Sequence, residues 1–168
     1  PGMPFNQMML FPVTLTLHST EEGPRIFTEP VREIASLHGR KRQWKNKTLK
    51  QGENLLSGVS GELVHIRADL RPAGAAEAGF VIRSVPVTYD AGKQELSCQK
   101  NKATLKPADG RIRLEILVDR TSIEIFGNDG LVYMPMGMIL ADNPMAREIL
   151  HEQGSKPDES LEVIRLRS

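Results

Sequence analysis

Residues 111–133 decide the fold, and they read R-I-R-L-E-I-L-V-D-R-T-S-I-E-I-F-G-N-D-G-L-V-Y. From Ile112 to Val118 every second residue is apolar, which is the pattern of a β-strand with one buried face. Residues 119–120 interrupt this pattern, and the alternation resumes at Ser122. The run Gly-Asn-Asp-Gly at 127–130 favours a turn, because these residues tolerate positive φ. The stretch therefore predicts three strands joined in a meander.

The composition is that of a folded domain with its own core. The chain has 168 residues, of which 39% are hydrophobic and 26% are charged, and these fractions are typical of globular proteins. Its 22 Lys and Arg residues are balanced by 21 Asp and Glu residues, so charge does not favour nucleic acid or an anionic membrane. No apolar run reaches the roughly 18 residues of a membrane-spanning helix. We therefore expect no nucleic-acid partner and no membrane partner.

Turns divide the rest of the chain into further short strands. We expect strands at residues 8–17, 25–28, 62–70, 80–87, 94–99, 131–140, 147–152 and 161–166. One or two helical turns are expected at 31–37. Residues 39–50 are expected to form an irregular solvated loop, and residues 100–102 a polar break.

This spacing of short strands predicts an all-β fold. We expect about 11 to 13 strands in two antiparallel sheets of about six each, packed as a jelly-roll, concanavalin A-like β-sandwich. Residues 1–7 are rich in Pro and Gly and are interpreted as the end of a linker to a missing domain. Residues 8–168 are interpreted as one sandwich domain.

No catalytic residue, metal site or cofactor is predicted. The four histidines lack metal-ligand spacing, and Cys98 lies in a strand pattern that predicts a buried thiol. Asp119 and Glu124 are two carboxylates that could meet across a turn, as a glycosidase requires. A structural role is favoured for both, because Asp119 fits a tight turn and Glu124 falls on the polar side of its strand.

Trp44 is the candidate for carbohydrate binding. Sugar-binding modules offer exposed aromatic side chains, and the chain is poor in them apart from Trp44, which lies in the basic run 39–47. An alternative that is at least as well supported is that Trp44 folds back and covers the edge of the core.

A family resemblance rests on residues 118–130, V-D-R-T-S-I-E-I-F-G-N-D-G. They closely resemble the V-D-R-[ST]-S-[IV]-E-[IV]-F-x-N-D-G signature in the C-terminal β-sandwich of glycoside hydrolase family 32, which contains levanases, inulinases and invertases. Residues 3–17, 20–31 and 79–83 are similar to that domain as well. The motif positions are Asp119, Arg120, Ser122, Glu124, Phe126, Asn128, Asp129 and Gly130.

The resemblance implies a module without catalytic residues. In this family a five-bladed propeller hydrolyses β-linked fructosyl units, with an Asp nucleophile in a W-[ML]-N-D-P-N-G-type motif, an Asp in R-D-P and a Glu acid/base in E-C. None of these motifs occurs in this sequence, where Trp44 precedes Lys45 and Cys98 follows Ser97. The chain is therefore expected to be inactive alone and to pack against the propeller of the same parent enzyme.

The resemblance also bears on other partners and on location. A homodimer and a contact with fructan are compatible with it, and the alternative function is a carbohydrate-binding module that holds fructan by itself. No signal peptide is recognisable in the sequence. A parent enzyme exported to the periplasm or the medium is compatible with the resemblance.

Overall fold

The structure is a computed structural model, and it describes residues 8–45, 56, 59, 61–71, 77–137, 146–151 and 160–167. The strands are β1 (Val13–Thr20), β2 (Gly23–Pro30), β3 (His38–Lys45), β4 (Val64–Leu70), β5 (Glu77–Ile82), β6 (Val85–Asp90), β7 (Glu95–Cys98), β8 (Asn101–Thr104), β9 (Ile112–Val118), β10 (Ser122–Gly127), β11 (Val132–Gly137), β12 (Ala146–His151) and β13 (Ser160–Leu166). A 3-10 helix spans Arg32–Leu37, where helical turns were predicted. In the described ranges no helix is long and apolar enough to cross a membrane.

The strands form two large antiparallel sheets and one hairpin. The first sheet has the order β11-β10-β9-β4-β13-β3, the second has the order β12-β5-β6-β7-β8, and β1 pairs with β2. Buried residues of both large sheets meet in one hydrophobic cluster. The predicted all-β sandwich is therefore confirmed, with six and five strands in its two sheets.

The main core lies between the two sheets. Alternate residues of β4 and β9, such as Ile66 and Ile116, pack there against Phe80 and Leu96 of the other sheet, and all four are fully buried. Cys98 is buried in the same cluster, which confirms the predicted strand thiol. Burial raises the pKa of this thiol to about 11, so the thiol stays protonated and unreactive at neutral pH.

The meander predicted from residues 111–133 is confirmed. Strands β9, β10 and β11 follow one another in the first sheet, with Ile125 of β10 opposite Ile116 of β9 and Met134 of β11. Every residue of β10 is buried, so this strand has no solvent-facing side.

Several boundaries differ from the sequence-based expectation. Residues 38–45 form strand β3 rather than a solvated loop, because β3 is an edge strand and its charged residues hide the alternation. The expected polar break contains the start of β8, Asn101–Thr104, and the apolar run 80–87 is two strands joined at residues 83–84. Residues 1–7, 46–50 and 138–145, which include the expected linker and the end of the third meander strand, lie outside the described residues.

Arg83 connects the two sheets. It and Ser84 form the two-residue turn between β5 and β6, and both have positive φ, as the type I′ hairpin turn requires. The buried Arg83 guanidinium donates hydrogen bonds to the backbone oxygens of Glu62 at 2.9 Å and Asp119 at 3.4 Å. These oxygens flank β4 and β9 of the other sheet, so the guanidinium compensates for a turn conformation that is unfavourable for a non-glycine residue.

Gly130 provides a test of how closely the β10–β11 turn approaches the β1–β2 hairpin. Its φ is +87°, and an added Cβ would collide with the backbone of Thr28, whereas Gly110 has a φ of +71° with nothing near such an atom. We expect Gly110→Ala to lower the free energy of unfolding by about 1 kcal/mol. Gly130→Ala should cost at least about 2 kcal/mol more, since it adds a steric clash. Urea unfolding measures both, and equal losses would contradict the close approach.

Candidate functional site

The Asp119-Arg120 segment of the motif forms the turn between β9 and β10. The Asp119 backbone N–H donates to the Ser122 carbonyl at 2.9 Å, and the Asp119 Oδ1 accepts the Arg120 backbone N–H at 2.6 Å. The Arg120 Nε pairs with the Glu62 carboxylate at 2.7 Å. The contacts of Asp119 are thus those of a turn residue.

Glu124 is a fully buried carboxylate whose two oxygens are both occupied. Its Oε1 accepts the backbone N–H of Phe11 at 2.9 Å, and its Oε2 accepts the Tyr133 hydroxyl at 2.7 Å. Burial and the hydrogen bond to Glu124 raise the pKa of Tyr133 well above its usual range, so this hydroxyl remains a donor. Glu124 therefore ties the segment that precedes β1 to the first sheet.

The structure places the two candidate carboxylates in different surroundings. Asp119 is in the β9–β10 turn, whereas Glu124 lies opposite Leu117 in the β9–β10 ladder and opposite Pro135 in β11. Their hydrogen-bond partners have no residue in common.

A second hydrophobic cluster covers the outer face of the first sheet around Glu124. Its buried members are Ile34, Leu117, Phe126 and Leu166, and its half-buried members are Phe11, Val13, Val31, Leu63 and Tyr133. The rings of Phe126 and Tyr133 stack with their centroids 4.8 Å apart. The sequence places Glu124 on the side of β10 opposite Ile123, and the structure shows that this side is covered by the N-terminal segment rather than by solvent.

Replacing Glu124 tests its role as an anchor. Glu124→Ala leaves the Phe11 N–H and the Tyr133 hydroxyl buried without acceptors, so we expect the free energy of unfolding to fall by about 3 kcal/mol. Glu62→Ala removes an exposed carboxylate that also forms one ion pair, and this control should cost no more than about 0.5 kcal/mol. Urea unfolding measures the free energy of unfolding of both variants. A loss for Glu124→Ala as small as that for Glu62→Ala would contradict the role of Glu124 as an anchor.

The other half of the outer face carries a polar network centred on His65. His65 is fully buried in β4, and its Nε2 lies 2.7 Å from the Glu115 Oε1, while its Nδ1 lies 3.1 Å from the His38 Nε2. Burial alone would raise the pKa of Glu115, but its hydrogen bond from His65 and the nearby Arg67 lower it overall. Glu115 is thus an ionised acceptor, and the His65 Nε2–H donates to it.

This network predicts a loss of stability in mild acid. Burial, followed by the neighbouring His65 and Arg67, lowers the pKa of His38 below its ordinary value of 6.5, because these surroundings disfavour a charged imidazole. A folded pKa below the unfolded one gives stability that is complete above pH 6.5 and decreases as the pH falls below that value. We expect His38→Gln to flatten this dependence between pH 7.5 and 5.5. Urea unfolding across this range measures the slope, and equal slopes in the native chain and His38→Gln would contradict the assignment.

Asn128 and Asp129 of the motif shape the turn after β10. The Asn128 side chain accepts the Arg113 backbone N–H at 3.0 Å and donates to the Lys106 carbonyl at 2.7 Å. Asp129 pairs with the Arg113 guanidinium at 2.7 Å. The Gly130 carbonyl accepts the Thr28 N–H at 2.9 Å, so this turn also holds the hairpin in place.

Trp44 lies in β3 opposite Leu161 of β13. Its side chain is half-buried and packs against the main core between the sheets, which is the position described by the alternative interpretation of this residue. Among the described residues, no group of three or more His, Cys, Asp and Glu side chains is placed to hold a metal ion.

The polar network on the outer face escaped the sequence analysis. His65, Arg67 and Asp69 alternate along β4, and Arg111, Arg113 and Glu115 alternate just before and along β9. Each run is a recognisable polar face, but the two faces meet only because β4 pairs with β9. That pairing joins strands that are far apart in the sequence, so the alternation of either strand does not reveal it.

The chain matches known proteins both in sequence and in structure. The family model for the C-terminal domain of glycosyl hydrolases family 32 matches residues 33–136. The levanase of Bacillus subtilis is 34% identical over 154 residues, covering 77% of this chain and 23% of the levanase. The levanase of Bacillus sp. strain L7 is also 34% identical, covering 79% of this chain and 17% of that protein. The chain therefore spans about a quarter or less of these relatives.

Solved structures share the fold. The exo-inulinase of Aspergillus awamori superposes with a TM-score of 0.82 at 19% identity, covering all of this chain and 37% of the enzyme. The β-fructofuranosidase of Schwanniomyces occidentalis gives a TM-score of 0.74 at 16% identity, covering 95% of this chain and 40% of the enzyme. With the family model spanning more than half of its residues, the chain belongs to glycoside hydrolase family 32, as a C-terminal β-sandwich domain.

Proposed function

We propose that the chain is a non-catalytic module of a fructan- or sucrose-cleaving enzyme, and that it packs against and stabilises a catalytic β-propeller of the same polypeptide. The observation that carries this proposal is an apolar surface on the β1–β2 hairpin. Leu15, Leu17 and Ile26 are 63%, 73% and 61% exposed. Leu17 lies directly opposite Ile26, and Leu15 lies two residues away on the same face of β1.

This surface is unusual because β1 is largely exposed on both faces, and one of those exposed faces is apolar. The alternate positions of β1 are Thr14, Thr16 and His18, so the strand has the pattern of a half-buried element. Burial of apolar surface contributes roughly 25 cal/mol per Å², and adjacent exposed apolar residues on an otherwise soluble domain mark interaction sites. A partner that covers this face would gain that free energy.

A domain earlier in the same polypeptide is the occupant that fits best. The family model describes a C-terminal domain, and the levanase relatives are several times longer than this chain. A preceding domain reaches the sandwich through residues 8–12, which lead directly into β1 and are tied down by the Phe11–Glu124 hydrogen bond. The anchor thus holds the hairpin at the point where such a domain would enter.

The contacts of the motif residues support a non-catalytic role. Asp119 forms a turn, and both oxygens of Glu124 are occupied by groups of the chain itself. The purified chain should therefore hydrolyse neither sucrose nor inulin nor levan. The reading frame that precedes Pro1 in the gene should encode a catalytic domain of the same family, and a different kind of domain there would overturn the proposal.

The apolar face can be tested directly with Leu17→Glu. In the 168-residue chain this change should reduce binding of a hydrophobic dye and reduce self-association, because it places a charge at the centre of the patch. Its effect on the free energy of unfolding should stay within about 0.5 kcal/mol, as for other exposed positions. Thr14→Glu, on the opposite face of the same strand, should change neither property.

The same pair of variants distinguishes a propeller from a second copy of the chain. In the complete polypeptide, Leu17→Glu should lower the melting temperature while Thr14→Glu should not, since only the former lies in the proposed interface. Sedimentation that shows a stable dimer of the complete polypeptide, dissociated by Leu17→Glu, with no effect of this change on the monomer's melting temperature, would assign the face to a homodimer instead.

A further inference from the structure

A cleft where β3 begins and β13 ends is bordered by three arginines. Its volume is about 460 Å³, and the residues that line it are Gly39, Arg40, Arg165, Leu166 and Arg167. Because β3 and β13 are neighbours in the first sheet, the basic run 39–47 meets arginines from the other end of the chain. The volume falls within the range of small-molecule sites, which is about 300–1,000 Å³.

An irregularity in the β3–β13 ladder brings two of these arginines together. The register shifts between Ile164 and Leu166, so that Gly39 and Arg40 of β3 both face Arg165 of β13. A bulge of this kind bends the strand locally and changes the direction of its side chains. As a result, the side chains of Arg40 and Arg165 border the same cleft although they come from different strands.

Two glycines leave room for the stems of the arginines. A Cβ atom added at Gly39 would lie 2.9 Å from the Arg165 carbonyl oxygen and 3.5 Å from the Arg167 Cγ. One added at Gly61 would lie 3.5 Å from the Arg165 Cγ. The Arg167 backbone N–H also donates to the Leu37 carbonyl at 2.8 Å. Both stems therefore start from fixed backbone and pack beside glycines, which lowers the entropic cost of binding a ligand between them.

The charge of the cleft is not compensated by the part of the chain that the structure describes. The three arginines are exposed, and no described carboxylate forms an ion pair with any of them. Other arginines of the domain contact a carboxylate at 2.7–3.2 Å, namely Arg25, Arg32, Arg67, Arg111, Arg113 and Arg120. Like charges around one cleft repel each other, so an anion between them would be attracted by all three.

The donors of the cleft define the chemistry of its ligand. A guanidinium has five N–H donors and no acceptor, so the ligand must supply oxygen acceptors and negative charge. A phosphate group has a charge of about −1.5 to −2 at pH 7 and three strong acceptor oxygens, whereas a single carboxylate has one charge and two oxygens. Arginine binds both groups through two parallel hydrogen bonds, but the larger charge of phosphate is the better match for three guanidiniums.

We propose that this cleft binds a phosphate group, as inorganic phosphate or as a phosphate monoester, through the guanidiniums of Arg40, Arg165 and Arg167. The cleft shares no residue with the apolar surface of the β1–β2 hairpin or with the motif at 118–130. The proposal therefore does not rest on the docking role of the hairpin, and either one can fail without the other.

The test is an NMR titration of the 168-residue chain with sodium phosphate, with sodium chloride at the same ionic strength as the reference. We expect a Kd no weaker than about 5 mM, with shift changes that centre on residues 39–40 and 165–167 and on arginine Nε–H signals. Glycerol 3-phosphate is the monoester probe, and the tighter of the two phosphate compounds identifies the source of the group. Succinate carries a similar charge on carboxylates, and tighter binding of succinate than of both phosphate compounds would overturn the proposal.

Matched variants locate the site. Arg40→Gln, Arg165→Gln and Arg167→Gln should each weaken phosphate binding by about threefold or more, and the double variant Arg165→Gln/Arg167→Gln by about tenfold or more. Arg25→Gln and Arg32→Gln remove the same charge at exposed positions outside the cleft and should leave the Kd unchanged. This comparison separates binding in the cleft from a general effect of net charge, and equal weakening by the control variants would overturn the proposal.

Thermal unfolding provides a second readout and a folding control. Each variant should remain folded, since all the changed side chains are exposed. A ligand that binds only the folded state raises the melting temperature, so phosphate should stabilise the native chain more than it stabilises Arg165→Gln/Arg167→Gln. The general stabilising effect of phosphate as an excluded salt acts on both chains and cancels in this comparison.

Two results would overturn the proposal directly. One is a folded native chain whose shifts in sodium phosphate are the same as in sodium chloride. The other is phosphate binding that the folded double variant Arg165→Gln/Arg167→Gln retains at full strength, because the guanidiniums of the cleft would then not be its donors.

Discussion

The constraint on which the structure depends is that the first sheet must be covered on both faces. Its inner face is covered by the second sheet, as in any sandwich. Antiparallel sheets commonly leave the other face wet, but β10 is buried along its whole length. The second cover is the chain before β1 together with the 3-10 helix. The buried Glu124 carboxylate fixes that cover by accepting the Phe11 N–H, and a buried carboxylate is tolerated only because both its oxygens have donors.

This cover is incomplete, and its edge separates two chemically different surfaces. Around Ile34, Leu117 and Leu166 the outer face is apolar and closed. Beyond His65 it is polar and open, since Arg67 and Glu115 remain partly exposed. The hydrogen bonds between His38 and His65 and between His65 and Glu115 lie along this boundary. The N-terminal segment therefore covers only the apolar part of this face, and the charged side chains of β4 and β9 remain partly exposed beside it.

The sequence could predict the features that depend on residues close together in the chain, and it could not predict those that depend on distant residues. The strand pattern of 112–118 is visible because one side of β9 faces the main core. Strand β3 was missed because an edge strand needs no apolar alternation, and Trp44 is its one large apolar residue. The role of Glu124 could not be found either, since its partner Phe11 is 113 residues away. The alternation correctly assigned the face of Glu124, but no periodicity states what covers that face.

The length of the family motif is also explained by these contacts. A catalytic motif needs its residues to converge on one reacting atom, whereas residues 119–130 contact different strands and turns of the domain. Asp119 closes a turn, Phe126 stacks on Tyr133, and Asn128 and Gly130 bind neighbouring segments through hydrogen bonds. Each of these interactions holds β10 against a different element, so the stretch must be specified residue by residue. A long signature can thus arise from a strand that is buried along its whole length.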